Sequence, residues 1–169
     1  VAIAQEGENG ENVATCYNNI GLVYDAQGDY VQALEMYQRS LKIRLAIFGE
    51  NHPAVATCYN NIGLVYSSQG DYVKALEMYQ QSLKIYLAIF GENHPDVALS
   101  YNNIGLVYSS QGDYSKALEM YQQSLKIRLA IFGENHPDVA TSYNNIGFVY
   151  DSQGDYVKAL EMYQQSLKI

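Results

Sequence analysis

Three histidines, two cysteines and two series of carboxylates are the residues whose types could do chemistry. His52, His94 and His136 invite a metal reading, but they recur exactly once per 42 residues. Units stacked at ordinary helix-packing distance would hold them about 10 Å apart, too far to close one tetrahedral site. Each reads instead as a loop residue near the start of a helix. Glu92 and Asp96, in the same kind of loop, offer no more than a surface for a stray cation. Cys16 and Cys58 share one position of the 42-residue pattern, where later copies carry Ser100 and Ser142. That spacing puts their α-carbons beyond the roughly 7 Å that a disulfide spans. Two free, packed thiols fit a reducing compartment, so the expected location is cytoplasmic. No histidine falls near either cysteine on the helical pattern to act as a base. The carboxylates Asp29, Asp71, Asp113 and Asp155 stand where helices begin, and Glu35, Glu77, Glu119 and Glu161 on a solvent face. No phosphate loop, nucleophile elbow or zinc signature is present. Near-identical units cannot converge several different groups on one pocket. The expectation is a chain that is not an enzyme, with no catalytic residue, no cofactor and no metal.

Composition narrows the partners. The 169 residues carry 10 Lys and Arg against 18 Asp and Glu, a formal charge of −8. That balance opposes a nucleic-acid partner, which needs a basic stripe. No apolar run of about 18 residues exists to span a membrane, and no signal peptide is visible at the N-terminus. Apolar residues make up 48% of the chain, enough for a real core.

The elements that position these residues follow from a 42-residue ruler. YNNIG begins at Tyr17, Tyr59, Tyr101 and Tyr143; QGDY ends at Tyr30, Tyr72, Tyr114 and Tyr156; LEMYQ places Tyr37, Tyr79, Tyr121 and Tyr163. Repetition at a fixed period is the mark of a stacked array. The units are 13–54, 55–96, 97–138 and a shortened 139–169, with residues 1–12 aligning to the end of a preceding unit. A fragment of a longer array is the expectation from that phase.

Each unit predicts two helices. In the second, Pro53 suits a first helical position, with His52 or Asn51 as cap. Tyr59, Ile62, Gly63 and Tyr66 follow at helical spacing, so helix A is expected over 53–68. Gln69-Gly70 breaks the pattern and Asp71 caps helix B, expected over 72–90. Tyr72, Ala75, Leu76, Tyr79, Leu83, Leu87 and Phe90 form one apolar stripe of helix B; Met78, Ile85 and Ile89 form a second. Two stripes imply two neighbouring helices. Lys74, Glu77, Gln81 and Lys84 are left for solvent, and Gly91 is expected to end the helix in the left-handed region.

The pattern Tyr59, Ile62, Gly63, Tyr66, Ala75 and Tyr79 resembles a tetratricopeptide (TPR) repeat. Two departures stand out: the family proline would fall at Leu87, and the unit is 42 residues rather than about 34. The longer unit, with its G-x-x-HP-x-V-A junction, is similar to the kinesin light chain type. The resemblance implies an all-α, right-handed superhelical solenoid of stacked antiparallel helix pairs, with helix A lining a concave groove that receives a protein or peptide partner.

Carried across from the family, the groove positions are Thr57, Asn60, Asn61, Leu64, Ser67 and Ser68 in the second unit. They are Asn18, Asn19, Leu22 and Asp25 in the first, Asn102, Asn103, Leu106 and Ser109 in the third, and Asn144, Asn145, Phe148 and Asp151 in the fourth. Paired asparagines can bond the backbone of an extended peptide, or can tie adjacent helices together without one. All ten basic residues fall on helix B, so the cationic clamp with which TPR domains hold acidic C-terminal tails is missing. An alternative reading is a structural spacer that self-associates head to tail. Met162 and Ile169 on the last helix would then face outward to meet Cys16 and Val23 on the first.

Overall fold

A computed structural model describes residues 10–169. The first nine residues of the expected N-terminal remnant lie outside that range. Among the described residues are eight helices and no strand: α1 Glu11–Ala26, α2 Tyr30–Phe48, α3 Pro53–Ser68, α4 Tyr72–Phe90, α5 Pro95–Ser110, α6 Tyr114–Phe132, α7 Pro137–Ser152 and α8 Tyr156–Leu167. The chain divides into two compact units, Val1–Ile89 and Phe90–Ile169. In the first, α1 packs on α2 and α2 on α3; in the second, α5 packs on α6, α6 on α7 and α7 on α8.

Helix boundaries follow from local chemistry. Pro53, Pro95 and Pro137 occupy first-turn positions, where a missing N–H costs nothing. Of the two caps the sequence allowed, His52 is the one used: its Nδ1 accepts from the Ala54 N–H at 3.2 Å. Helix α3 ends where Gly70 takes φ +76 and the Asp71 N–H reaches back to the Tyr66 carbonyl at 2.9 Å. That closure satisfies carbonyls the helix end leaves open. Asp71 then opens the next helix, its carboxylate accepting from the Lys74 N–H at 3.3 Å. One aspartate thus closes helix A and starts helix B.

The end of helix B differs from the expected left-handed residue. Gly49 and Gly133 do have positive φ, 74° and 76°, but their ψ values are −173° and −179°. The chain leaves the helix extended, in a region that only glycine occupies without strain.

Each hairpin closes on one glycine–tyrosine contact. A Cβ added to Gly63 would lie 2.9 Å from the Tyr79 ring, and one added to Gly105 would lie 2.8 Å from the Tyr121 ring. The glycine therefore makes room for the family-position tyrosine as well as for the neighbouring backbone. Around Tyr37 the first unit buries Ala33, Ile62 and Val65, with Leu34, Leu41 and Met78 packed against them. Ala117, Tyr121, Ile146 and Val149 repeat this in the second. Burying a side chain of this size contributes about 1.5–3 kcal/mol.

Several expected stripe members sit elsewhere. Ile89 and Phe90 are exposed. Phe90 instead stacks on the His94 ring at 3.9 Å between centroids, as Phe48 does on His52. Met162 does not face outward: it is half-buried against the Tyr121 cluster. Cys16 is exposed rather than packed, while Cys58 is buried.

Candidate functional site

Helix A presents the candidate residues because their spacing, three and four apart, puts them on one face. In the first unit the Asn61 amide donates to the Asn18 carbonyl oxygen at 3.0 Å. In the second, Asn145 donates to Asn102 at 2.8 Å. The second asparagine of one repeat thus reaches the first asparagine of the repeat before it. This bond uses one of two amide N–H groups, leaving Asn61 and Asn145 a second donor and a carbonyl oxygen. Asn102 is buried; Asn18, Asn60, Asn61, Asn103 and Asn145 are partly buried; Asn19 and Asn144 are exposed.

Beside the asparagines lie the apolar candidates. Leu22, Leu64, Leu106 and Phe148 are exposed by 43–56% of their surfaces. The helix turns beneath them are closed: Ile62, Val65, Ile104 and Val107 are buried on the opposite side of α3 and α5. An exposed leucine by itself means little. Here the same exposed apolar position recurs four times next to an asparagine pair. Thr57, another candidate, is drawn into the fold, within hydrogen-bonding distance of the Pro53 carbonyl at 3.0 Å and of the Tyr86 hydroxyl at 3.1 Å.

The basic residues are held away from this face. Nine lie in α2, α4, α6 and α8, and Lys168 caps α8. Lys74, Lys116 and Lys158 each pair with the capping aspartate at 2.7 Å. Each also lies 5.2 Å from the centre of a helix A tyrosine ring. The side-chain hydrogen bond from Lys74 holds the Asp71 carboxyl below its ordinary range, and Asp71 in turn raises the Lys74 ammonium.

Two cations escaped the sequence reading. Arg44 and Arg128 are buried, and no carboxylate pairs with either guanidinium at salt-bridge distance among the described residues. Arg44 donates to the Ala54 carbonyl at 3.1 Å and to the Cys58 sulfur at 3.3 Å. Arg128 donates to the Asp138 carbonyl at 2.9 Å and to the Ser142 hydroxyl at 2.8 Å. Burial lowers the Arg128 pKa from its usual value. The seam also holds Ser40 and Ser124, fully buried and donating to the Ala14 and Ala98 carbonyls at 2.8 Å. Their recurrence on the 42-residue ruler was visible; their polarity hid them from a search for apolar stripes.

The histidines stand apart, each capping its own helix. His94 and His136 keep Nδ1 3.7 and 3.8 Å from the carboxylates of Asp96 and Asp138. Among the described residues no three of His, Cys, Asp and Glu gather in a way that could hold a metal ion. No helix there is long and apolar enough to cross a membrane.

Comparison with known proteins adds a family. The tetratricopeptide repeat model matches residues 1–46, 26–88, 71–130 and 124–169. No curated protein matches the chain. Among solved structures, BtubC (BKLC) from P. vanneervenii superposes with a TM-score of 0.84 at 29% identity, over 92% of this chain and 62% of that one. A putative kinesin light chain of Podosopora anserina, with nearly identical TPR-like repeats, gives 0.78 at 19% identity over 98% and 81%. The apo form of RapI gives 0.78 at 22% identity over 90% and 54%. The chain therefore spans less than two thirds of BtubC and about half of RapI. The latter two likenesses speak for the fold alone.

Proposed function

Since the chain belongs to the tetratricopeptide repeat family, we propose that it is a non-enzymatic protein–protein interaction scaffold whose helix A faces receive a peptide or partner protein. The single observation that carries this reading is the recurrence of an exposed apolar side chain beside an asparagine pair: Leu22 and Leu64 in one unit, Leu106 and Phe148 in the other. The apolar groups offer contact area, and Asn61 and Asn145 each offer a second donor and an acceptor to an extended backbone. Asn18 and Asn102, the first of their pairs, serve the fold, because their side-chain carbonyls already accept from Asn61 and Asn145. The unpaired Cys58 thiol suits the reducing cytoplasm as the place of action.

The chemistry of the face also limits the partner. With every Lys and Arg on helix B or its C-cap, and Lys74, Lys116 and Lys158 tied to the capping aspartates, the helix A face offers no cation to an acidic tail. A fluorescent peptide ending in acidic residues is expected not to bind; a micromolar dissociation constant would contradict this. The positive test is selection from a displayed library of random peptides. Selected peptides should lose capture on Leu64→Ser and Leu106→Ser while the melting midpoint stays put. Capture unchanged in both variants would refute the assignment of this face.

A further inference from the structure

Most carboxylates of the chain have places that the fold explains. Glu11, Asp96 and Asp138 lie in the first turns of α1, α5 and α7, where a negative charge suits the helix dipole. Asp29, Asp71, Asp113 and Asp155 cap helix B. Glu35 pairs with Arg39 at 2.6 Å, and Glu77, Glu119 and Glu161 are exposed to water. Asp25 and Asp151 are placed differently. They lie in the last turns of α1 and α7, the end at which the dipole disfavours an anion, and neither turn holds a basic residue.

Asp25 is half-buried, and burial pushes its carboxyl above the usual carboxylate range. Among the described residues no Lys, Arg or His pairs with it. Its charge raises the phenols of both Tyr37 and Tyr79, so it faces the seam between the first two repeats, inside the first unit. The Tyr37 hydroxyl beside it is fully buried and has no hydrogen-bond partner. Ser67 and Ser109 hold the same register in the next two repeats, and Ser109 hydrogen-bonds Tyr121 there. A serine therefore serves this position without an unpaired charge. Around Asp25 the apolar candidates converge. The Asn61–Asn18 bond joins α3 to α1; Leu22 and Leu64 each follow one turn on from it, and Asp25 follows Leu22 by a further turn. Leu22 is 46% exposed, and Leu64 and Leu106, further inside the chain, are 43% and 45% exposed. The openness of this face is therefore a property of inner repeats as well as of the first.

We propose, resting on the reading that helix A receives a peptide, that Asp25, Leu22 and Leu64 form one subsite for a segment in which a Lys or Arg stands beside an apolar residue. The ammonium or guanidinium donates to the Asp25 carboxylate, and the neighbouring apolar side chain lies on the two leucines. The bound cation supplies the counter-charge that the last turn of α1 lacks. Charge complementarity favours this occupant, because α1, α3, α5 and α7 contain carboxylates but no Lys or Arg. Asp151 holds the same register, three residues after Phe148.

The test uses three dye-labelled pools of short peptides, built from uncharged residues around a central Lys-Leu, Gln-Leu or Glu-Leu step. Each is titrated into the whole chain and followed by fluorescence anisotropy. Asp151→Ser is introduced first, so that Asp25 is the acid left at this register. The Lys-Leu pool should bind about tenfold more tightly than the Gln-Leu pool, the worth of one hydrogen bond to a charged group. The Glu-Leu pool should bind more weakly than either. Asp25→Ser installs the residue of the second and third repeats; it should bring Lys-Leu down to the level of Gln-Leu and leave Gln-Leu unchanged. Leu64→Ser should weaken both. Circular dichroism checks that the variants fold, and Asp25→Asn replaces Asp25→Ser if that variant does not. Equal binding of Lys-Leu and Gln-Leu, both weakened by Leu64→Ser, would overturn this inference and leave the wider reading of the face standing. A Lys-Leu preference that survives the change at Asp25 would overturn it as well. Binding by none of the pools would overturn the inference together with that reading.

Discussion

The two units are made from nearly the same residues, yet they differ in how well their buried polar groups are served. Among the described residues, the buried side-chain atoms without a partner are Tyr37 Oη, Arg44 Nε and Ser82 Oγ, and all three lie in Val1–Ile89. Their counterparts in the second unit are better provided. Ser109 hydrogen-bonds Tyr121, where the first unit sets the Asp25 carboxylate near Tyr37. Arg128 meets a serine oxygen at 2.8 Å, where Arg44 meets a sulfur at 3.3 Å. Sulfur is the weaker acceptor. The apolar and glycine positions shared by both units produce one backbone, while a few polar exchanges decide how fully its interior is satisfied.

The comparison can be broken where it claims sameness. Gly21→Ala and Gly105→Ala both drive a Cβ to within 2.8 Å of a tyrosine ring. Each should cost up to about 3 kcal/mol in urea unfolding, by the usual cost of overpacking. A large cost at one glycine and none at the other would mean that the two hairpins are not built alike.

It can be sharpened where it claims a difference. Arg128→Met removes two good hydrogen bonds and should cost about 2 kcal/mol. Arg44→Met removes a buried guanidinium that is only partly satisfied, and should cost less than about 1 kcal/mol. Tyr37→Phe deletes a hydroxyl with no partner and should stabilise by about 1 kcal/mol, whereas Tyr121→Phe breaks a bond and should destabilise by a similar amount. The same sign for both tyrosines in thermal melts would remove the distinction drawn between the units.

The tyrosines also make stability depend on pH. Burial, followed by the nearby Asp25 carboxylate, pushes the Tyr37 phenol up to about 12. Burial raises Tyr79 and Tyr121 as well. The folded chain therefore holds these protons after the unfolded chain has begun to lose them. Their contribution to stability is complete below about pH 10, the ordinary phenol value, and is lost as pH rises through the raised folded values, about 12 for Tyr37 and higher for the other two. Denaturation midpoints should fall over that window, and Tyr37→Phe should flatten the fall.

Much of the fold was legible because its causes are local. Pro53, Asp71 and the Gln69-Gly70 break mark helix ends by their own backbone chemistry, and the observed bounds of α3 and α4 follow them. Gly63 stood in the helix A pattern as a residue without a side chain, and the Tyr79 ring fills the space it leaves. Less legible was whatever depended on a distant residue. Ser40 and Arg44 look like solvent residues on a helix, and only the packed neighbour reveals that one meets the Ala14 carbonyl and the other Cys58. Phe48 was bound to look like core until the stacked His52 ring appeared beside it. At the candidate face, the recurring Asn-Asn and Leu positions could be read from the ruler. Which asparagine of each pair spends itself on the fold could not, because that depends on the register between neighbouring helices.

The central claim is that helix A's exposed leucines, Phe148 and second asparagines are the surface a partner uses. The most direct measurement is an NMR titration of the chain with a peptide taken from the random library, following methyl, aromatic and side-chain amide signals. The account predicts shifts at Leu22, Leu64, Leu106, Phe148, Asn61 and Asn145, with the helix B solvent residues Gln81 and Lys84 unmoved. Shifts confined to helix B, with the helix A signals unchanged at saturation, would contradict it.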